Sequence, residues 1–491
     1  MKSLTTKSHE HGTSKLVYLA LVLASCGFVV HTLVASPTAQ AQQRRATQSG
    51  STTAREDVLA LLRTAIEMLQ AGRLDEAEPL LRRAIAVAPT NADAHSLLGA
   101  LLDQRGRAAE AEREYQTALR LNPHHVSARA NLGVLLARNG RTNEAIKLFE
   151  SVLRDAPDHP QATFNLGVQY AARGDYERAL PLLERARAQQ PTNVAVLYQL
   201  AFALYQLKRL DAAAGVLSAA SSLAPDNPDV LYALGLVAAA RDDDEQAADY
   251  WQRALVQRPN FAAANFMLGE ALRKHRRYEG AAEFYERALA EDPAQLVYYV
   301  RLGGTYMLLK QYGNALAVFE RAAQRFPTKP EAFYFLGIAA RGKASFDVAE
   351  AAFRKSLTLE PDNVDALAQL GYIVGARGNY AEAEKILRRA TMLSDRHFYA
   401  YYDLGRLLVK VGRYDEALPI LRHGAALKPN NVSVHYQQFI VLSRLKRKDE
   451  AERELAIFKQ LAEAERKSGR RDEDDGENPD DSTTEAPPRE R

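Results

Sequence analysis

The sequence predicts an all-α solenoid of antiparallel helix pairs, built from about twelve repeats of 34 residues. Three observations predict this class. Alanine returns at one position of every repeat, glycine stands twelve residues before it in nine repeats, and proline stands twelve residues after it in ten. The alanines are Ala77, Ala111, Ala145, Ala179, Ala213, Ala247, Ala281, Ala315, Ala349, Ala383, Ala417 and Ala451. Since one helix pair cannot bury its apolar face alone, we expect neighbouring pairs to stack in series.

The repeat at residues 126–159 shows where each helix is expected to begin and end. Gly140 should end the first helix, because glycine enters the left-handed backbone region without steric cost. We expect Asn143 to cap the second helix and Pro157 to end it. In other repeats an asparagine is placed to cap the first helix, at Asn91, Asn193, Asn227, Asn363 and Asn431.

The recurrent small residues are expected at the crossing of the two helices. A larger side chain at the glycine or alanine positions would push the helices apart, since protein interiors are close-packed. The repeat frame therefore specifies how the helices pack and leaves the binding partner unspecified.

This frame resembles the tetratricopeptide repeat family. The resemblance rests on the Leu-Gly pairs, on the regularly spaced alanine and on the proline that closes each unit; the pairs include Leu132-Gly133, Leu166-Gly167 and Leu268-Gly269. It covers residues 58–465. The resemblance implies a right-handed superhelix with a concave groove, lined by the second, fifth, sixth, ninth and twelfth residues of each first helix. Such repeats mainly bind proteins.

Composition agrees with a chain that buries a large core. Apolar residues make up 47% of the sequence and charged residues 25%, as in globular proteins. The unbroken period predicts one elongated solenoid rather than several domains. The net charge of +3 is spread over 491 residues, whereas nucleic-acid binding needs a clustered basic stripe, so we expect no nucleic-acid partner.

The N-terminal residues 1–41 are typical of an export signal. Lysines precede the apolar run 16–35, and small residues end at Ala41, where cleavage is expected. Two alternatives remain open. The run is long enough to stay as a membrane anchor, and Cys26 lies in a sequence that resembles a bacterial lipidation site. All three export the repeats, so we expect a periplasmic protein, either free after cleavage or held to the membrane by the anchor or lipid.

The remaining boundaries follow from composition. Residues 42–57 are expected to form a polar linker, and residues 58–465 the solenoid, whose last repeat departs from the frame as a capping repeat does. Residues 466–491 are expected to form a disordered acidic tail, since residues 472–491 hold nine acidic residues and two arginines.

The sequence offers no chemistry for an enzyme. It lacks a phosphate-binding glycine loop, a zinc-protease motif and a nucleophile elbow, and we expect no catalytic residue, cofactor or metal. His124, His125 and His159 are interpreted as loop or capping residues rather than metal ligands. Asp242–Asp244 is interpreted in the same way, as a solvated turn at the start of a helix.

The groove predicted by the resemblance carries an aromatic stripe with amides beside it. At the fifth position of the first helices are Phe164, Tyr198, Tyr232, Phe266, Tyr334, Tyr402 and Tyr436, and at the sixth are Asn131, Asn165, Gln199 and Gln369. One interpretation is that the rings pack between neighbouring helices. The other is that they bind an extended peptide, with the amides pairing its backbone.

We therefore expect a non-enzymatic scaffold that binds a protein or peptide in the concave groove and helps to assemble an envelope or secretion complex. The alternative is a module that binds or guides a polysaccharide of the cell envelope, since sugars also stack on aromatic rings.

Overall fold

The computed structural model describes residues 49–468, and their side chains from residue 57 to residue 466. The predicted export signal, the cleavage site after Ala41 and nearly all of the acidic tail lie outside the described residues. The described part contains 24 α-helices and no strand. Among these helices, none is both long enough and apolar enough to cross a membrane.

The helices alternate between the first and the second of each repeat. They are α1 (Ser49–Gln70), α2 (Leu74–Val87), α3 (Ala92–Gln104), α4 (Ala108–Leu121), α5 (Val126–Arg138), α6 (Thr142–Asp155), α7 (Pro160–Ala172), α8 (Tyr176–Gln189), α9 (Val194–Gln206), α10 (Leu210–Leu223), α11 (Pro228–Ala240), α12 (Asp244–Gln257), α13 (Ala262–Lys274), α14 (Tyr278–Glu291), α15 (Leu296–Leu308), α16 (Tyr312–Arg325), α17 (Pro330–Gly342), α18 (Phe346–Leu359), α19 (Val364–Ala376), α20 (Tyr380–Leu393), α21 (Phe398–Lys410), α22 (Tyr414–Leu427), α23 (Val432–Arg444) and α24 (Lys448–Ser468). The predicted all-α fold of paired helices is confirmed. Helix α1 begins at Ser49, so part of the segment expected to be a polar linker is helical.

Each helix pair is held by the small residues that define the period. In α5 and α6, Ala145 is fully buried, and a Cβ atom added to Gly133 would lie 2.7 Å from the ring of Phe149. The same glycine position faces the same second-helix position in every repeat that has the glycine. The glycine therefore makes room for a large side chain from the partner helix, as the pattern predicts.

First helices and second helices begin in different ways. The five asparagines predicted to cap first helices all do so, each accepting hydrogen bonds from backbone N–H groups of the first turn. The prediction that Asn143 caps α6 is wrong, because α6 already begins at Thr142 and follows Arg141. Arg141 instead bridges the carboxylates of Glu144 and Glu112, at 2.7 and 2.6 Å.

The turn within each pair uses a left-handed residue, and this residue is not always glycine. Gly140 has a φ of 76°, as expected. At the equivalent place, Lys208, Ala344 and four other non-glycine residues have φ between 57° and 61°. The repeat register, rather than the residue type, therefore sets this conformation.

The helices form two compact units, the first ending at Arg258 and the second beginning at Pro259. Helices α1–α12 belong to the first unit and α13–α24 to the second. Within each unit, most first helices contact the next first helix, whereas successive second helices do not approach each other to the same extent. The first helices therefore line the more closely spaced side of the stack, which we call the inner face.

Candidate functional site

In the first unit, the rings at the fifth position of the first helices are buried. Phe164, Tyr198 and Tyr232 expose 7%, 4% and 2% of their surface. Burial, with a smaller effect from the Asp229 carboxylate, raises the pKa of Tyr198 well above its ordinary range. These three rings therefore belong to the core of the first unit and present little surface to a partner.

The amides of the first unit differ in accessibility. Asn131 and Asn165 are half-buried, and the Nδ2 of Asn165 donates to the carbonyl of Gln161 at 2.8 Å, inside its own helix. Gln199 is buried, and its Oε1 lacks a hydrogen-bond partner within the described residues. Asn131 and Asn165 are therefore the accessible amides among the predicted ones in this unit.

Charged pairs also occupy the first helices of the first unit. Asp103 on α3 is paired with Arg138 on α5, and the carboxylate is almost fully buried. Burial raises the pKa of Asp103, although the guanidinium of Arg138 opposes the shift. Asp229 accepts two hydrogen bonds from Arg258, at 2.9 and 2.8 Å. The Asp103–Arg138 pair joins two consecutive first helices and gives the buried carboxylate of Asp103 a charged partner.

In the second unit, the predicted rings divide into two groups. Phe266 is fully buried and stacks on Tyr298 at 4.8 Å between ring centroids. Tyr402 is buried and stacks on Phe398 at 5.6 Å. Tyr334 and Tyr436 remain half-buried, so part of each ring reaches the surface.

The second unit carries one predicted amide, Gln369, at the repeat position that Gln199 occupies in the first unit. Like Gln199, it is buried and its Oε1 has no hydrogen-bond partner among the described residues. An unsatisfied buried carbonyl is unfavourable for folding.

Further partly exposed apolar side chains of the first helices lie outside the fifth position. They include Phe202, Tyr205 and Leu236 in the first unit and Met307, Phe335 and Ile440 in the second, all half-buried. They stand at the sixth, ninth and twelfth positions of first helices. The family resemblance implies that those positions also line the groove, so the sequence could have indicated them. The prediction of binding residues instead favoured the fifth position, because most residues there are aromatic.

Two arginines of the second unit lie on one tyrosine ring of the inner face. The guanidinium carbon of Arg341 is 5.5 Å from the ring centroid of Tyr372, and that of Arg406 is 4.9 Å away. Arg406 also lies 3.4 Å from Asp403, a weak contact for an ion pair. The three residues belong to consecutive first helices, and cation–π contacts join them.

The residues considered as metal ligands have structural roles. His125 accepts the backbone N–H of Ala128 at 3.1 Å and so caps α5, and His159 caps α7 in the same way. Asp243 caps α12 by accepting the N–H of Gln246 at 3.1 Å. Within the described residues, no group of three histidine, cysteine or acidic side chains is placed to hold a metal ion.

Comparison of the sequence with known families identifies the repeats. Two family profiles, both described as tetratricopeptide repeat, match the chain. One matches residues 68–118, 170–239 and 375–436, and the other residues 101–160, 131–194, 232–295, 305–364 and 334–397. No curated protein sequence matches the chain.

Several solved structures are similar to this chain. YrrB, described as a repeat protein of this family with an unusual peptide-binding site, is 23% identical, with 38% of this chain and 95% of that chain covered and a TM-score of 0.35. Pseudomonas aeruginosa PilF is 21% identical, with coverages of 44% and 99% and a TM-score of 0.41. Yeast Tom70 is 16% identical, with coverages of 82% and 97% and a TM-score of 0.35. These similarities say nothing about the partner of this chain.

Proposed function

Because the chain belongs to the tetratricopeptide repeat family, we propose that it is a non-enzymatic scaffold that binds a protein or peptide along its inner face. The repeats themselves indicate a protein-interaction scaffold.

Three partly exposed side chains of the first unit support the proposed position of the binding surface. Phe202, Tyr205 and Leu236 are apolar, lie on consecutive first helices and keep part of their surface outside the core. Partly exposed aromatic and aliphatic side chains that line one face are typical anchors for a protein partner. Asn131 and Asn165, on α5 and α7, offer polar groups to a peptide backbone on the same face.

The proposed compartment rests on the N-terminal sequence. A basic segment, the apolar run 16–35 and small residues ending at Ala41 support export to the periplasm, by a cleaved signal, a retained anchor or a lipid on Cys26. In that compartment the scaffold would help to assemble an envelope or secretion complex.

A polysaccharide is the second candidate ligand. Tyr205, Tyr334 and Tyr436 keep part of their rings exposed, and sugar rings stack on aromatic faces. The two candidates predict different behaviour: a protein partner is lost after protease treatment of the envelope extract, whereas a polysaccharide survives it.

Two substitutions test whether the partner binds the inner face. Leu236→Lys places a charge on the inner face, and Val256→Lys places the same charge on the second helix α12, where Val256 is 76% exposed. We expect affinity capture from an envelope extract to lose its specific partner with Leu236→Lys and to keep it with Val256→Lys. Equal capture by both variants, with both folded as judged by circular dichroism, would remove the support for inner-face binding.

A further inference from the structure

The last two first helices of the second unit and the turn that follows them carry a group of four cations, of which three are exposed and one, Arg406, is half-buried against Tyr372. Arg406 and Lys410 lie one helical turn apart on α21, Arg444 ends α23, and Lys446 follows in the turn to α24. We call these four residues the basic strip. Helices α21 and α23 contact each other, and Lys410 and Arg444 stand at the same position of these consecutive repeats.

Few carboxylates offset the basic strip. Asp403 is the one acidic residue in α21, and it lies 3.4 Å from Arg406; α23 has none. Between residues 57 and 466, no carboxylate forms an ion pair with Lys410, Arg444 or Lys446. At the start of α24, Glu450 is held by Arg447 and Arg422, and Asp449 is the other acid nearby.

Favourable interaction with helix ends explains only part of this arrangement. Cations stabilise a helix C-terminus, which accounts for Lys410 and Arg444. Arg406 lies one turn before the end of α21, and Lys446 lies in the turn beyond α23 with a φ of 60°. The basic strip therefore extends beyond the two helix ends.

A matching anionic segment follows directly in the chain. Residues 472–491 contain nine acidic residues and two arginines. We infer that this acidic segment docks on the basic strip of its own chain, with its carboxylates paired to Arg406, Lys410, Arg444 and Lys446. The inference does not depend on which partner the inner face binds.

The chain is long enough to reach. Helix α24 has 21 residues and so spans about 31 Å. The 23 residues that follow Ser468 can extend to about 75 Å, enough to return along α24 to the strip. Exposed ion pairs are individually weak. A tethered segment nevertheless meets its site at a high effective concentration, so several weak pairs suffice to hold it.

Docking would cover one end of the inner face. A partner that binds α21 and α23 would then have to displace the acidic segment, and an acidic partner would compete for the same cations. The segment would thus act as a built-in competitor whose strength falls as the salt concentration rises.

Spin labelling of the full chain tests this inference. A nitroxide is attached at Thr483→Cys in a Cys26→Ser background, which leaves one labelled site. At low ionic strength we expect a slow-motion component in the spectrum. This component should disappear at about 1 M salt, where the screening length is about 3 Å.

Two sets of substitutions localise the contact. The variant Lys410→Gln, Arg444→Gln, Lys446→Gln should lose the slow component at low salt. The matched variant Arg325→Gln, Lys343→Gln, Arg396→Gln removes three exposed cations elsewhere in the second unit and should keep it. A second route leaves the folded residues untouched: Asp480, Asp481 and Glu485, which are far enough from Ser468 to reach the strip, changed to their amides should also free the label.

Several results would overturn the inference. The first is a freely mobile label in the unmodified chain at low salt. The second is a slow component that persists when Lys410, Arg444 and Lys446 are changed to glutamine. The third is a slow component that is lost equally when Arg325, Lys343 and Arg396 are changed to glutamine. A slow component that grows with protein concentration would show docking on a second molecule instead.

Discussion

Trp251 lies against Gly235 so closely that a Cβ atom at residue 235 would overlap the indole ring. The indole nitrogen donates a hydrogen bond to the backbone carbonyl of Tyr232, 3.2 Å away on the same first helix. The missing side chain of Gly235 therefore lets the largest side chain of the unit both fill the core and pair its polar atom.

Gly235→Ala is predicted to destabilise the first unit. The added methyl group must displace Trp251, which is 1% exposed, and overpacking of this kind costs about 1–3 kcal/mol. Hydrogen exchange of amides in α11 and α12 should accelerate, together with a lower midpoint of chemical unfolding. Gly215→Ala is the control, since nothing lies within 4 Å of that added atom. Equal effects of the two changes would contradict the packing described for Trp251.

A substitution at the left-handed turn residue Ala344 is predicted to stabilise the fold, in contrast to Gly235→Ala. Ala344 has a φ of 60°, where an L-residue costs about 1–2 kcal/mol and glycine costs less. Ala344→Gly should raise the free energy of unfolding by up to about 1 kcal/mol, after the entropy that glycine adds to the unfolded chain is subtracted. The reciprocal change Gly378→Ala, at a φ of 88°, should lower it. Chemical unfolding of both variants measures the difference, and the same sign for both would contradict the turn geometry.

The pair of Asp365 and His397 predicts a pH effect. The Nδ1 of His397 accepts the N–H of Ala400 at 3.1 Å, so its Nε2 donates to Asp365 at 2.9 Å. This hydrogen bond lowers the pKa of Asp365 below its usual value of 3.8, against the opposing effect of burial. A lowered carboxylate pKa stabilises the fold above the unfolded pKa, and this contribution is lost as the pH falls through the folded pKa.

The matching measurement compares the unmodified chain with Asp365→Asn from pH 6 to pH 3. We expect the stability difference to be under about 1 kcal/mol near pH 6, since the carboxylate is half exposed, and to shrink below pH 4. A difference that stays constant over this range would show that the ionised carboxylate contributes nothing.

The helix pairs could be predicted from the sequence because the residues that pack and cap each pair lie within one repeat. Gly133 and Phe149 occur at fixed spacing, and the first-helix asparagine caps need only the residues of one turn. The burial of Tyr198 and Tyr232 could not be predicted in this way. It depends on how closely successive first helices approach, which is set by packing across repeats rather than within one.

The contacts that arginines make between repeats could not be predicted from the sequence either. Arg141 precedes its helix where a capping residue was expected, and its two carboxylate partners come from its own repeat and the preceding one. Arg341 and Arg406 meet on Tyr372 only because three first helices stand side by side. Residue spacing alone does not reveal such contacts between repeats.

The proposed export signal at residues 1–41 predicts where the mature protein begins. If signal peptidase cuts after Ala41, N-terminal sequencing of the native protein should begin at Gln42. A chain that begins at Met1 and stays with the membrane supports the anchor, and a lipid-modified Cys26 supports the lipoprotein. A chain that begins at Met1 and is recovered in the cytoplasm would contradict export.

Site-specific photo-crosslinking in the native cell tests whether the inner face binds a protein. A photoreactive phenylalanine analogue is placed at Phe202 and Leu236 on the inner face. As controls it is placed at Val256 and Leu223, which are 76% and 47% exposed on second helices. We expect one protease-sensitive adduct of defined mass from both inner-face positions and none from the control positions. The same adduct from all four positions, or adducts from Val256 and Leu223 alone, would contradict binding at the inner face.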